Sequence, residues 1–476
     1  MEQVTLTEIA QAVGGTLSNC PDCAVTEIST DTRTITPGCV FLALRGTRFD
    51  GHTFAKQACE QGAVAVISDH VIPDCPCIVV DSTGKALLAF AAYYRRKFQP
   101  FFVGVTGSVG KTTTKNMIAL VLSAHCKTLK TAGNLNNEIG LPKTLMGLDS
   151  TYKAAVVEMG MSDFGEISRL SKAAAPSIGV ITNIGFSHIA QLKSQEGICR
   201  AKLEILDGMA ADAPLVVNGD DPYLIPLKTT LSRPVYTYGI KNAGADCRAE
   251  RIVSENGCTS FDLCWQGTVT SVTLPCIGEH NVMNGAAAFC IGMLAGMEPE
   301  EIAGALRTYQ PDGMRQNIQQ IDDKTVILDC YNASPDSMRA SLSVLGQLSV
   351  TGRRIGVLGD MLELGEQSRQ LHRDRKSTRQ NSGAGGSAVL LRTGKPVHCR
   401  GGSQAGRACA VFYGEGSLDR AAATQFAARG CGAVQGQPGH AAGVRGKGTV
   451  SGACSITERG MPGNGLCVLC LSFGFY

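Results

Sequence analysis

The residues able to do chemistry sit in a few short stretches, and the densest is Gly107-Ser-Val-Gly-Lys-Thr-Thr113. Glycines at 107 and 110 let the backbone take turns that a Cβ obstructs, so several N–H groups can face one anion. Lys111 follows at the distance from which an ammonium reaches outer phosphates, and Thr112 or Thr113 can offer a hydroxyl to Mg²⁺. Val105 stands where the common G-x-x-x-x-G-K-[ST] loop has its first glycine, so T-G-x-x-G-K-T is a narrower variant. Gly107, Ser108, Val109, Gly110, Lys111, Thr112 and Thr113 together read as a cradle for a nucleoside triphosphate.

Other candidates are weaker one by one. Glu158 closes the apolar run Ala154-Ala-Val-Val-Glu158, where a carboxylate is costly unless paired or metal-bound. Asn183 and His188 follow the run ending at Thr182. Asp220 and Asp221 read first as a turn before Pro222. Lys202, in Cys199-Arg-Ala-Lys-Leu-Glu204, reads alone as a solvated helical lysine. Asn134, Asn136 and Asn137 crowd one loop ahead of a helix starting near Pro142.

The elements that must position these residues alternate. An apolar run, Phe101–Val105, leads into the glycine loop, and helical spacing follows from Thr114 to about Ser123. Further strands are expected at 178–182 and 215–218. Repeated strand–helix alternation implies a mostly parallel sheet covered by helices, with functional residues at the strands' carboxyl ends. Ahead of it, Leu6, Ile9, Ala10 and Val13 share one helical face closed by Gly14-Gly15. Short strands at 26–29, 40–44, 64–67 and 77–80 and a helix at 54–61 complete a small α/β unit. Its polar loops, Ser29-Thr-Asp-Thr-Arg33 and Arg45-Gly-Thr-Arg-Phe-Asp-Gly-His52, could hold a ligand or supply turn and capping chemistry. A third unit is expected beyond Pro311, with strands at 325–329 and 354–358 and a helix at 337–348. Asp329 closes its first strand, and Tyr331-Asn-Ala-Ser-Pro335 is the loop after it. The boundaries that result are 1–98, 99–311, 312–374 and 375–476.

Composition excludes several classes. The first residues lack the basic and apolar regions of a signal peptide. No apolar run approaches the ~18–20 residues that span a bilayer. A cytoplasmic protein is expected, with no membrane insertion and with its 20 cysteines reduced. Cys20, Cys23, Cys75 and Cys77 do not fit a zinc spacing. Of 44 Lys+Arg and 41 Asp+Glu, 12 basic but only 3 acidic residues fall within 375–476. A basic tail of this kind would suit nucleic acid if it were disordered, but it is too rich in Cys and apolar residues for that, and no nucleic-acid partner is expected.

The quoted stretches, together with Thr182-Asn-Ile-Gly-Phe-Ser-His-Ile189, Arg200-Ala-Lys-Leu-Glu-Ile205 and Gly278-Glu-His-Asn-Val-Met-Asn284, resemble the Mur ligases in order and spacing. These are ATP-dependent amide ligases of peptidoglycan synthesis. The 29–33, 37–46 and 49–54 stretches resemble a uridine-nucleotide domain, while 133–142, 329–337 and 356–366 resemble the members that add a dipeptide. The resemblance implies a three-domain α/β architecture: a central P-loop parallel-sheet domain between a UDP-muramoyl-peptide domain and a Rossmann-like C-terminal domain, incomplete here. It implies a monomer that joins D-Ala-D-Ala to UDP-N-acetylmuramoyl-tripeptide through an acyl phosphate. By resemblance, Lys111, Glu158, His188 and Lys202 are catalytic. Thr112, Thr113, Glu158, His188 and a carbamylated Lys202 hold two Mg²⁺ ions. Asn281 and Asn284 meet adenine, and Arg315 and Asp329 meet phosphate and ribose. Ser29, Asp31, Arg33, Asn136, Asn137 and Asn332 meet the other substrates.

After Asp374 the resemblance stops. Asp374–Ser382 resembles a translated sequencing adapter, and the glycine-rich remainder fits a shifted reading frame. That leaves the third domain with uncovered sheet edges. Two alternatives follow: a sister ligase adding the third, diamino, residue, and an ATP-binding but catalytically defective product. A GTPase-like switch would carry an Asn-Lys-x-Asp motif, which is absent.

Overall fold

The computed structural model describes residues 1–46, 49–313, 315–321, 324–348, 354–359 and 361–372, with three later strands. The chain divides into two compact units. One holds Met1–Gln310 with Glu363–Glu366, the other Pro311–Leu362 with Gln367–Tyr476.

In the first unit, Leu6–Val13 forms the expected helix. Thr5 and Glu8 close a capping box at its start, and Gly14 ends it with φ 65°, a left-handed conformation that favours glycine. Strands Ile28–Ser29, Val40–Leu42, Ala65–Ser68 and Cys77–Val79 pair in parallel, and Thr16–Ser18 adds an antiparallel edge. Cys20, Cys23, Cys75 and Cys77 are free thiols. A helix absent from the sequence reading, Thr83–Arg95, follows. Arg95, its last residue, is buried. Its guanidinium donates to the carbonyls of Ala174, Phe98 and Ala175 and stacks over Phe102. Burial lowers its pKa to about 10.

The larger sheet has nine strands. Thr128–Lys130, Ala154–Glu158, Phe101–Thr106, Ile178–Ile181, Leu215–Asn218, Val235–Gly239 and Cys247–Glu255 lie side by side in parallel. Cys258–Trp265 and Thr268–Leu274 then extend it as an antiparallel meander that the alternation did not reveal. Fully buried Val103, Val105, Val156 and Val180 pack with Met117, Ile118, Val121 and Val282 of helices Lys111–His125 and Glu279–Leu294. Each such side chain contributes about 1.5–3 kcal/mol. That core makes the ends of the central strands a rigid platform.

In the second unit, Asn317–Ile321, Lys324–Leu328 and Arg354–Leu358 are strands. Helix Pro335–Gln347 starts from a capping box between Ser334 and Ser337. Leu466–Leu471, an apolar run, lies between strands 324–328 and 354–358 in parallel register with both. Leu390–Thr393 and Cys409–Phe412 pair antiparallel. Most of the tail lies outside the described residues.

Candidate active site

Strand Phe101–Thr106 ends in the glycine loop, which turns directly into helix Lys111–His125. Gly107 has φ 148°, and a Cβ on it would stand 1.8 Å from Thr182 Oγ1, so only glycine fits. Gly110 caps the helix at φ 82°. The neighbouring strand braces the loop. Asn183 Oδ1 accepts from Val109 N–H (2.9 Å), while Asn183 Nδ2 and Thr182 Oγ1 donate to Val109 O at 3.0 and 2.6 Å. Ser108 N–H donates to Asn183 O, and Ser108 Oγ accepts from Gly185 N–H. The first bond of the helix runs from Thr114 N–H to Gly110 O. The N–H groups ahead of it are not taken up within the helix, which makes its start an anion site.

Lys111 Nζ lies across this loop, donating to the carbonyls of Gly107 (2.9 Å) and Ser108 (3.3 Å). Thr112 Oγ1 donates to Glu158 Oε2 at 2.8 Å. Glu158 is 2% exposed, and its cost of burial is offset by Thr112, by Asn136 Nδ2 (2.9 Å) and by Lys115 Nζ at 4.0 Å. Lys115, also buried, donates to Thr131 O. The sequence reading passed over it; a lysine four residues after Lys111, on the same helix face, was the available signal. Thr113 is half-buried beside Thr112.

Lys202 is not solvated. It lies on helix Gln195–Leu203 and is 2% exposed. Burial, then the Lys111 charge, drives its amine far below the ordinary lysine range. His188 precedes helix Ile189–Leu192 with a left-handed φ of 64°. Its Nδ1 meets Glu363 Oε2 at 2.5 Å, and His188 holds the Glu363 carboxyl below the usual range.

Other candidates are held by neighbouring protein groups. Asn284 Oδ1 accepts from Thr114 Oγ1 and sits 2.9 Å from where a Gly110 Cβ would stand, so it supports the loop from beneath. Asn281 Nδ2 donates to Ile277 O. Asn137 Oδ1 accepts from Ile139 and Gly140 N–H at the start of helix Gly140–Leu145. Asp220 and Asp221 are turn residues: Asp220 accepts from the amides of 240–242, and Asp221 from Ile184 and Tyr223.

In the small sheet, Ser29 Oγ bonds Asp31 O and Thr34 Oγ1. Asp31 caps the turn Thr32–Thr34 and pairs with exposed Arg33 at 2.5 Å. Among the described residues, His52, Asp69 and His70 bring three ligand atoms within 4.8 Å. They already hold one another. His52 Nδ1 meets Asp50, its Nε2 accepts from Asp69 N–H, and Asp69 meets both His70 and Arg45. The loop is thus clasped by turn chemistry. In the second unit, the Arg315 guanidinium lies 3.8 Å from the Tyr331 ring centre, Ser341 donates to Asp329, and Asn332 Oδ1 accepts from Ala333 N–H.

Three Mur ligase family models match this chain: the middle domain at residues 105–292, the glutamate ligase domain at 314–384 and the family catalytic domain at 24–82. The chain is 41% identical over 377 residues to the UDP-N-acetylmuramoyl-tripeptide–D-alanyl-D-alanine ligase of Bacillus subtilis, covering 78% of this chain and 81% of the relative. MurF from Acinetobacter baumannii superposes with a TM-score of 0.75 at 34% identity, over 79% of this chain and 83% of that one. MurF ligase from Thermotoga maritima in complex with ADP gives 0.69 at 29%, over 74% and 81%.

Proposed function

The chain belongs to the Mur ligase family, and from that premise we propose that it is an ATP-dependent amide ligase joining D-Ala-D-Ala to UDP-N-acetylmuramoyl-tripeptide. The observation that carries this reading is the buried Thr112–Glu158 pair in the first turn after a phosphate-binding loop. The names of the relatives favour neither the sister ligase nor a defective product.

In the proposed reaction the tripeptide carboxylate attacks the γ-phosphorus of ATP, and ADP leaves. The amine of D-Ala-D-Ala attacks the acyl phosphate, gives up a proton and forms a tetrahedral intermediate, which expels phosphate to leave the amide. Such transfers need positioning and charge neutralisation more than covalent help. The loop N–H groups and Lys111 bind the phosphates. Asn183 and Asn284 keep the loop in shape.

The donor set fits magnesium. Thr112 Oγ1 and Glu158 Oε2 are hard oxygen donors held side by side at the loop, the kind of ligand magnesium takes. Bound there, Mg²⁺ would neutralise phosphate oxygens and act as a template. Thr113, His188 and Lys202 complete the proposed ligands for two ions. Burial favours the uncharged amine, the form that reacts with CO₂, and the carbamate that results is an anionic oxygen ligand; this supports carbamylation of Lys202. Asn281 and Asn284 toward adenine, and Arg315 and Asp329 toward phosphate and ribose, remain proposed ATP contacts. Ser29, Asp31, Arg33, Asn136, Asn137 and Asn332 remain proposed contacts to the peptide substrates. We further propose a cytoplasmic monomer. Among the described residues no helix is long and apolar enough to cross a membrane. Phosphate release dependent on both peptide substrates tests the reading.

A further inference from the structure

The stretch Gly359-Asp-Met-Leu-Glu-Leu-Gly365 has no role in the proposed reaction, yet part of it belongs to the first unit. Glu363–Glu366 meets the start of helix Ile189–Leu192 at three points. Glu363 O accepts from Ala190 N–H at 3.1 Å. Gly365 lies so close to Ala190 that a Cβ on it would stand 3.2 Å from Ala190 Cα. The Glu363 carboxylate reaches His188 Nδ1 at 2.5 Å. Leu364, 2% exposed, anchors the segment between these contacts.

The His188 contact differs from an ordinary surface pair, which is worth little. His188 Nδ1 is buried, makes no well-aligned hydrogen bond, and meets the Glu363 carboxylate as an ion-pair contact. A buried ring nitrogen without a partner is costly. His188 and Glu363 also both take left-handed backbone, at φ 64° and 60°, which non-glycine residues hold only where surroundings enforce it. The backbone bond to Ala190 therefore sets the carboxylate beside one nitrogen of the ring.

We propose that Glu363 is a positioning residue for His188, accepting its Nδ1–H and so leaving Nε2 as the bare, lone-pair nitrogen that serves the phosphoryl-transfer site. A carboxylate behind a ligating imidazole fixes its tautomer and direction in this way. The inference rests on the reading of His188 as a member of that site, and the experiment separates the two.

Long-range ¹H–¹⁵N NMR of the histidine rings in the full chain reads the tautomer, with the His188 signal assigned by its loss in His188→Gln. The parent should show protonated Nδ1 and bare Nε2. Glu363→Ala should move His188 toward the Nε2-protonated tautomer and lower kcat at least ~10-fold, with KM for the nucleotide-linked peptide unchanged. Glu363→Gln keeps an acceptor oxygen, and should retain the tautomer and most of kcat. An unchanged tautomer in Glu363→Ala overturns the proposal. So does a changed tautomer with unchanged kcat. If His188→Gln itself ligates normally, the reading of His188 in the site fails, while the tautomer result still decides whether Glu363 orients it.

Discussion

Thr112 Oγ1 and Glu158 Oε2 stand 2.8 Å apart, joining the first turn of one helix to the last residue of the neighbouring strand. The strand register makes this possible. Glu158 pairs with Val105, so its carboxylate emerges beside the loop that begins two residues later. Thr112→Ala and Glu158→Gln should each lower kcat by about 10²–10³, the usual loss of one oriented electrostatic group. Steady-state phosphate release checks this; near-parental rates in either variant would remove the pair from the account.

Gly107→Ala places a methyl group on Thr182 Oγ1, a contact no rotamer change of the alanine can relieve. The loop must shift, and with it the N–H groups that Asn183 braces. KM for ATP should rise about tenfold or more, a cost of at least ~1.4 kcal/mol. Nucleotide titration against the parent measures it.

How much of this was legible depends on how local each signal is. The glycine loop, Glu158 and the strands 154–158 and 215–218 follow from short-range pattern, and the structure has them at those residues. Lys202 looked like a solvated lysine because nothing in its helix announces burial; only packing on other elements does. Arg95 is buried for the same kind of reason, since its three carbonyl acceptors, on Phe98, Ala174 and Ala175, all lie outside its own helix. The strands between 247 and 274 went unread although Phe261, Leu263 and Trp265 alternate inward and Asn256-Gly257, both at positive φ, is a hairpin-turn signal. Leu466–Leu471 is legible as an apolar run but not as a partner of strands more than 100 positions earlier. We still propose a shifted frame from 375 onward, and resequencing the gene tests it: an in-frame tail would refute the idea.

Glu8 joins the N-terminal helix cap to the end of helix Thr83–Arg95. Its carboxyl is lowered from 4.5 to about 2, first by Lys97, then by Thr5 N–H and the Tyr93 hydroxyl. A carboxyl whose folded pKa is depressed adds stability that is complete above its unfolded value and lost as pH falls toward the folded one. The window here runs from 4.5 down to about 2. Because the pair is one-third exposed, solvent limits the gain to about 1 kcal/mol or less. Glu8→Gln should lower Tm slightly at pH 7, and the difference should fade as pH drops through that window. A difference that grows on acidification contradicts the assignment.

Lys202 should carry a carbamate. After equilibration with ¹³C-bicarbonate, the protein should show a carbamate carbonyl resonance that is missing from Lys202→Met. Absence of that signal from the parent would leave Lys202 as a buried unmodified amine and remove it from the metal ligands.

The most direct test of the central claim is a coupled phosphate-release assay in which only the peptide substrates change. With ATP, UDP-N-acetylmuramoyl-tripeptide and D-Ala-D-Ala, the in-frame gene product should form one phosphate and one new amide per ATP consumed, and the chain carrying the 375–476 tail should ligate poorly. Omitting D-Ala-D-Ala, or offering a diamino acid with the UDP-linked dipeptide, should reduce release to background. Release with the dipeptide and diamino acid, and none with the tripeptide and D-Ala-D-Ala, would contradict it.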